Sequence, residues 1–243
     1  MPLQRYVSRE LTHFVGRSLQ EDDERYALLT QVILREGQLG RSDPEHPSGS
    51  GFTLRILGDA DPLSNSMYDL PMVCFCDIPQ DDFEIHMAKY SQFGIAFQKS
   101  FLVGKGARPV FYIPRPLPDR GSAYLSDFQY LSNLNNVFAE LVQAAGPNPD
   151  KPSPCTEGIR ALVSKLSFPM SRLNLDVLSF IKFFDCQASD ADPSNYYMER
   201  EWRVQGTMSF SLKDVSRIVL PTSFAVRLRQ DVPNYVGQLM FAD

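Results

Sequence analysis

Two carboxylates lie close together in the late segment YYMEREWRV. If residues 199–205 form a strand, the two-residue side-chain period puts Glu199, Glu201 and Arg203 on one face. Crowded like charges raise the pKa of one carboxyl group, which suits that group to proton transfer or to stabilising a cationic transition state. In the structural alternative, Glu201 and Arg203 form a salt bridge while Trp202 fills the core. The segment therefore predicts either catalytic carboxylates or an ion pair.

A histidine and a tyrosine are further candidates for chemistry. His13 lies in LTHFVGR, which predicts a first strand with His13 on the face opposite Thr12 and Phe14. His86 and Tyr90 are four residues apart on a predicted short helix, so their side chains share one face. Tyr90 could stack on an aromatic ligand, and the structural alternative for each of these residues is ordinary packing.

The cysteines give little support to a metal site. Cys74 and Cys76 point the same way from a predicted strand and, with His86, could suggest a soft metal. A structural zinc site needs four closely spaced ligands, whereas Cys155 and Cys186 lie in unrelated segments. We therefore expect no metal, and we expect reduced cysteines that behave as small hydrophobic residues.

Composition and missing motifs narrow the classes further. The chain has 243 residues and a formal net charge of -5, and this negative charge disfavours nucleic acid as a stable partner. The N-terminus lacks a signal-peptide pattern and no apolar run is long enough to span a bilayer, so we expect a cytoplasmic protein with no membrane partner. Phosphate-binding loops, the G-x-S-x-G elbow and H-E-x-x-H are absent from the sequence.

Apolar periodicity predicts an α+β fold. A first helix is expected after a Ser18–Glu21 capping box and should end at Gly37, and a short helix should end at about Tyr90. Two further helices are expected, one over residues 127–145 and one that begins at about Thr156. Strands are expected at LTHFVGR, MVCFCDI, FGIAF and RPVFYI, and in most of the last third, where only SFAVRLRQ indicates a short helix. Residues 38–71 predict a long loop and residues 146–155 a proline-rich connector. These elements predict a single domain over residues 1–243, with mixed, mainly antiparallel sheets flanked by helices.

Several segments together resemble a known family. LTHFVGR, ILREGQL, the block VCFCDIPQDDFEIHMAKYSQFGIAFQKSFLVGKGARPVFYI, EREWRV and IVLP resemble the AbiGi-like abortive-infection proteins of bacterial phage defence. The resemblance implies a bacterial or prophage-borne antiviral component, the antitoxin side of a toxin–antitoxin pair. It also implies a cognate toxin or antitoxin protein as the partner.

A second resemblance concerns the fold. A histidine in an early strand, a helix reading I-L-x-x-G-x-L, the aromatic YSQFG and a late strand with Glu are similar to ADP-ribosyltransferases of the DarT type. This resemblance implies NAD as the substrate, with His13 holding the nicotinamide ribose and Tyr90 and Phe93 among the cofactor-binding residues. Glu201, with Glu199, would stabilise the oxocarbenium-like state.

Two hypotheses follow for the function. In the first, the chain is a phage-defence protein built on an ADP-ribosyltransferase-like fold that uses NAD. In the second, it is a non-catalytic antitoxin or protein-interaction module. The two hypotheses make different predictions about whether His13, Tyr90 and Glu201 converge on one cleft.

Overall fold

The chain divides between two units, each of which contains strands and helices. A computed structural model describes residues 8–40, 72–114, 123–145, 154–189, 192 and 195–242. The first unit contains the described residues up to Val110 and those from Gln187 onward, and the second contains those between Phe111 and Cys186. All the candidate catalytic and cofactor-binding residues therefore lie in the first unit.

Over the described residues, a seven-stranded sheet is the framework of the first unit. From one edge to the other its strands are β11 (Gln238–Phe241), β10 (Val215–Leu220), β4 (Gly94–Gln98), β1 (Glu10–Phe14), β3 (Met72–Cys76), β8 (Glu201–Gln205) and β5 (Arg108–Pro109). β10 and β11 are parallel, and the other neighbouring strands are antiparallel. A further antiparallel pair joins β2 (Gln38–Leu39) to β9 (Met208–Ser209).

Strand register fixes which side chains share a face of this sheet. In β3 and β8, Phe75 lies opposite Trp202 and Cys76 lies opposite Glu201. Residues directly opposite each other in an antiparallel pair point to the same face, and the next residue along each strand points to the other. The sheet therefore separates an aromatic side from a side that carries Cys76 and Glu201.

The aromatic side of the sheet is covered by helices. These are α1 (Asp22–Ala27), a π-helix over Leu28–Leu34, α3 (Lys99–Gly104) and α6 (Ala225–Asp231). Tyr26, Leu29, Leu102 and Leu228 are 0–1% exposed and pack in the main core with sheet residues such as Phe75. Burial of each such side chain contributes about 1.5–3 kcal/mol, so this face holds most of the unit's apolar stabilisation.

The opposite side of the sheet is covered by α2 (Phe83–Lys89). Phe83 packs in a smaller cluster with Cys76 and Val219, and its ring lies 5.5 Å from that of Phe14. These contacts fix α2 over β1, β3 and β10. Lys89 is the last residue of α2, and Tyr90 is the C-cap residue of this helix. Both therefore lie on the sheet face that bears Glu201.

The second unit combines two long helices with a small sheet. β6 (Phe111–Pro114) and β7 (Ile181–Phe184) are parallel, and α4 (Ala123–Ala145) packs against α5 (Pro154–Asp176). Among the described residues, we find no helix with the length and apolar character that crossing a membrane requires.

The predicted α+β class and the mainly antiparallel sheet are confirmed, and the ADP-ribosyltransferase-like fold stays a prediction. The expected capping box is wrong, because the first helix begins at Asp22 and its N-cap, Glu21, makes no side-chain hydrogen bond there. RPVFYI does not form one strand but divides into β5 and β6, which belong to different sheets. The last predicted long helix starts at Pro154 instead of near Thr156, consistent with the preference of proline for a first helical turn.

Two predicted connections fall largely outside the described residues. Of the predicted loop 38–71, residues 38–39 form β2 and the part over 41–71 lies outside the described residues. Of the connector 146–155, residues 154–155 are already helical and residues 146–153 lie outside the description. The interpretation of residues 1–243 as a single domain stays a prediction.

Gly37 is expected to be intolerant of a side chain. It has φ +63, and a Cβ atom there would lie 2.5 Å from the carbonyl oxygen of Phe210. We expect Gly37→Ala to lower the free energy of unfolding by about 2 kcal/mol or more, measured by urea titration. Gly104 ends α3 with no atom within 4 Å of an added Cβ, so the control Gly104→Ala should be neutral or slightly stabilising. Equal effects of the two substitutions would contradict this account.

Candidate functional site

The candidate site lies where β8 begins beneath the C-terminal end of α2. A 3-10 helix over Tyr196–Glu199 precedes β8, and Arg200 adopts the left-handed conformation with φ 46 and ψ 52. The strand therefore starts at Glu201, and the prediction of one strand over 199–205 is wrong for its first two residues. This turn directs Glu199 and Glu201 independently of the two-residue strand period.

Glu199 is buried in an ion pair with the end of α2. Its Oε1 atom lies 2.6 Å from Lys89 Nζ, and the two side chains are only 6% and 8% exposed. The hydroxyl of Tyr90 donates a hydrogen bond to the same oxygen. Sequence spacing gave no sign of the Lys89 contact, because the two residues are 110 positions apart.

Glu201 is paired with an arginine on its own strand. Arg203 Nε donates to Glu201 Oε1 at 2.7 Å, and the side chains are 3% and 5% exposed. Trp202 packs on the opposite face against the main core. The predicted alternation of side chains along β8 is confirmed, and the geometry agrees with the structural alternative for Glu201 and Arg203.

Tyr90 is held by aromatic and cationic neighbours. Its ring is parallel to that of Phe14 at a centroid distance of 6.2 Å, and the guanidinium carbon of Arg17 lies 5.1 Å from its centroid. Burial, and then the negative charge of Glu199, raise the pKa of the Tyr90 hydroxyl well above its ordinary value. The phenol is therefore a hydrogen-bond donor and is not ionised near neutral pH.

His86 lies in the same region of α2 and is buried. The residue is 5% exposed, and its Nδ1 atom has no hydrogen-bond partner among the described residues. Burial lowers the pKa of His86, while the negative charge of Glu199 opposes this effect and the positive charge of Lys89 adds to it. The imidazole is consequently held neutral next to a buried ion pair.

Asp77 extends the charged region beyond the end of β3. Its carboxylate accepts hydrogen bonds from Lys99 Nζ at 2.7 Å and from the backbone amide of Ser8 at 3.0 Å. Arg200 Nη2 lies 3.9 Å from the same carboxylate. Asp77, Lys89 and Arg17 are not predicted as site residues from the sequence, where the only signal is that they stand close to residues that are predicted.

His13 does not join this cluster. Thr12 pairs with Cys76, which in turn pairs with Glu201, so these three residues share one face and His13 points to the other. On that side, His13 Nδ1 lies 2.7 Å from the Cys74 carbonyl oxygen, and its ring is 5.8 Å from Phe75. The predicted convergence of His13 with Tyr90 and Glu201 is therefore wrong, because adjacent positions in a strand face opposite sides of the sheet.

Phe93 is also separate from the carboxylates. It is 0% exposed in the main core, and its ring lies 5.3 Å from that of Phe224. The structure thus brings Tyr90 together with Glu199, close to the Glu201–Arg203 pair, and it leaves His13 and Phe93 in the aromatic core. The direct roles of these residues in binding NAD stay predictions.

The buried charges of the candidate site occur as two ion pairs, Lys89 with Glu199 and Arg203 with Glu201. Taking a carboxylate or an ammonium out of water costs several kcal/mol, and a close counter-ion with further hydrogen bonds offsets that cost. Both carboxylates have such a counter-ion, so the negative charge of each is neutralised by a cation of the same chain. The cluster fixes the end of α2 and the start of β8 in one geometry.

Comparison with known proteins identifies the class of protein that carries this site. Residues 63–234 match the family of abortive phage resistance protein AbiGi, antitoxin. The match covers more than half of the chain, so the chain belongs to this family. The predicted resemblance to AbiGi-like proteins is confirmed, and the similarity to ADP-ribosyltransferases stays a prediction.

A curated relative carries the same name. The abortive phage resistance protein AbiGi of Lactococcus lactis subsp. cremoris is 33% identical over 104 residues, which is 35% of this chain and 41% of the relative. The chain thus spans less than half of that relative's length. No solved structure matches the chain.

Breaking the Lys89–Glu199 pair from one side is expected to be costly. Lys89→Met leaves the buried Glu199 carboxylate without the ammonium 2.6 Å away, and we expect a loss of about 3–5 kcal/mol of unfolding free energy by urea titration. Adding Glu199→Gln should restore part of that loss, because it removes the buried charge.

A helical ion pair with an exposed arginine provides the control for that measurement. Arg172 and Asp176 are 2.5 Å apart with the arginine side chain 54% exposed, so Arg172→Met should change stability by less than about 1 kcal/mol. Strictly additive losses in the double variant of Lys89 and Glu199 would contradict the proposed coupling.

His86 should make stability depend on pH in a defined direction. Its folded pKa lies below the ordinary value of 6.5, so the unfolded state binds the proton first and stability falls as the pH decreases below that value. Between about pH 7.5 and about pH 5, the wild-type chain should lose up to about 1.4 kcal/mol per pH unit more than His86→Gln, measured as urea midpoints. Parallel pH profiles for the two proteins would show that this imidazole is not held neutral.

Proposed function

We propose that the chain acts in abortive-infection defence as a non-catalytic antitoxin that neutralises a cognate toxin protein by binding it. The observation that supports this proposal most strongly is the state of the carboxylates, since Glu199 and Glu201 are each at least 94% buried and bonded to a cation. The description of the family as an antitoxin supports the same reading. The buried cluster then serves to hold the fold that presents the binding surface.

The chemistry of glycosidic cleavage explains why this state of the carboxylates favours binding over catalysis. A carboxylate that stabilises an oxocarbenium-like state must lie beside the reacting carbon with its negative charge available. Glu201 Oε1 instead accepts a hydrogen bond from Arg203 at 2.7 Å, which neutralises that charge in the ground state. An arginine cannot be deprotonated in proteins, so raising the pH would not free the carboxylate from this pair.

A second candidate function is NAD-dependent ADP-ribosyl transfer. One observation favours this function. The Tyr90 hydroxyl donates a hydrogen bond to Glu199, so an aromatic ring and a carboxylate lie side by side, as cleavage of the nicotinamide bond requires. In this function Tyr90 would contact nicotinamide, and Glu199 or Glu201 would stabilise the developing positive charge. The contacts of the Tyr90 ring with Phe14 and Arg17 would have to open for the nicotinamide to stack.

The proposal is tested by expressing the chain with the protein encoded next to it in its genome. We expect the two proteins to purify as a stable complex and the chain to relieve the growth arrest that the neighbour causes. Purified chain should show no heat of NAD binding in calorimetry and no loss of NAD over time. Failure to bind and to neutralise the neighbour would contradict the antitoxin proposal.

Substitution of the late carboxylate distinguishes the two candidates. For an antitoxin, Glu201→Gln should leave toxin neutralisation and phage protection within about twofold of wild type when both proteins are assayed below their melting temperatures and compared per folded molecule. For a transferase, it should abolish NAD consumption, because the charge that stabilises the transition state is lost. NAD consumption by the unaltered chain would by itself establish the second candidate, whatever the stability of the variant.

A further inference from the structure

A cavity lies on the aromatic-core side of the first unit, away from the carboxylate cluster. It is bordered by the π-helix over Leu28–Leu34, by α6, and by the residues that follow α6, and its volume is about 580 Å³. Sites for small molecules commonly have volumes in this range, which is large enough for a few amino-acid side chains. Neither the family description nor the candidate site accounts for this cavity.

Part of the cavity lining is apolar. It is formed by Leu34 and Leu212, and by Val232 and Pro233 from the segment after α6. Leu34 is 6% exposed and belongs to the main core, so this lining is fixed by the packing of the fold. An apolar side chain that entered the cavity would replace water on this surface and gain hydrophobic free energy.

The remaining lining offers hydrogen-bond donors. Gln31, Arg35 and Asn234 line the cavity, and each is exposed. Among the described residues, none of these three side chains forms a hydrogen bond or an ion pair. Two primary amides suit the polar groups of a peptide backbone, and a guanidinium suits a carboxylate.

Arg35, which has no partner in the part of the chain that the structure describes, contrasts with the second arginine in the lining. Arg227 Nη1 lies 2.6 Å from Asp23, and its Nε lies 3.6 Å from Asp231. Asp231 also accepts a hydrogen bond from the Tyr26 hydroxyl at 2.8 Å. Over the described residues, the lining therefore contains one internally neutralised arginine and one positive charge that is open to a ligand.

The π-helix is an independent indication of function at this place. It continues α1 for seven residues, and Thr30 and Gln31 in it line the cavity. π-helical turns are rare, and they occur frequently at functional sites. A seven-residue π-helix that forms one wall of a cavity is the pattern expected for a binding surface.

We propose that this cavity binds a segment of the toxin partner in which an aspartate or a glutamate is adjacent to a leucine-like side chain. The carboxylate pairs with Arg35, the amides of Gln31 and Asn234 bind the segment's backbone, and the apolar side chain contacts Leu34 and Val232. Arginine is enriched among the residues that dominate binding at protein interfaces. This inference rests on the proposed antitoxin function and names the surface that performs it.

The test measures binding of the purified neighbour-encoded partner to three forms of the full chain. Arg35→Gln should weaken the complex about tenfold or more, because a charge-assisted hydrogen bond is lost. Arg9→Gln is the matched control, since Arg9 is exposed and does not line the cavity, and it should leave the affinity within about twofold of wild type. If wild type binds the partner and Arg35→Gln binds it equally, the cavity inference fails while the antitoxin proposal stands.

A charge exchange supplies a second, independent readout. The probe is a fluorescent peptide of alternating leucine and glutamate, compared with one of alternating leucine and lysine, in polarisation titrations. Wild type should prefer the glutamate peptide, and Arg35→Glu should prefer the lysine peptide. Equal binding of both peptides to wild type would overturn the proposal, and so would an Arg35-dependent dimer of the chain alone in sedimentation, which would make a second copy the occupant.

Discussion

The ion pair between Lys89 and Glu199 joins two parts of the chain that are 110 residues apart. The pair holds the end of α2 against the turn before β8, and Tyr90 donates a hydrogen bond to the Glu199 carboxylate. Because α2 also supplies Phe83 to the smaller core, its position depends on both the charged and the apolar contacts. A buried pair of this kind makes the local geometry unique at the expense of desolvation.

The sheet separates two chemical environments that the linear sequence intermixes. β3 and β8 each alternate between a side chain of the aromatic core and one of the α2 side, so Trp202 and Arg203 are neighbours in sequence and lie on opposite faces. This alternation explains why His13 and Glu201, both in central strands, are kept apart. The charge cluster and the Arg35 cavity consequently lie on different sides of the same sheet, where one can stabilise the fold while the other remains available to a partner.

Local features of the fold followed well from the sequence, whereas long-range pairings did not. The strands around His13, Phe75 and Trp202 were predictable because side-chain period and residue type act within a few positions. The partner of Glu199 was not predictable, since the choice of Lys89 depends on how α2 crosses the sheet. Similarly, the apolar spacing of residues 26–34 is that of any amphipathic helix and contains no sign of π-helical hydrogen bonding.

The short strand β5 has a consequence for how this protein can associate with others. It terminates one edge of the seven-stranded sheet, over the described residues, and consists of Arg108 and Pro109 alone. Proline has no amide hydrogen, and an arginine at an exposed edge disfavours an incoming strand. Extension of the sheet by a foreign chain is thereby discouraged at this end, which protects the protein from the edge-to-edge aggregation to which open sheets are prone.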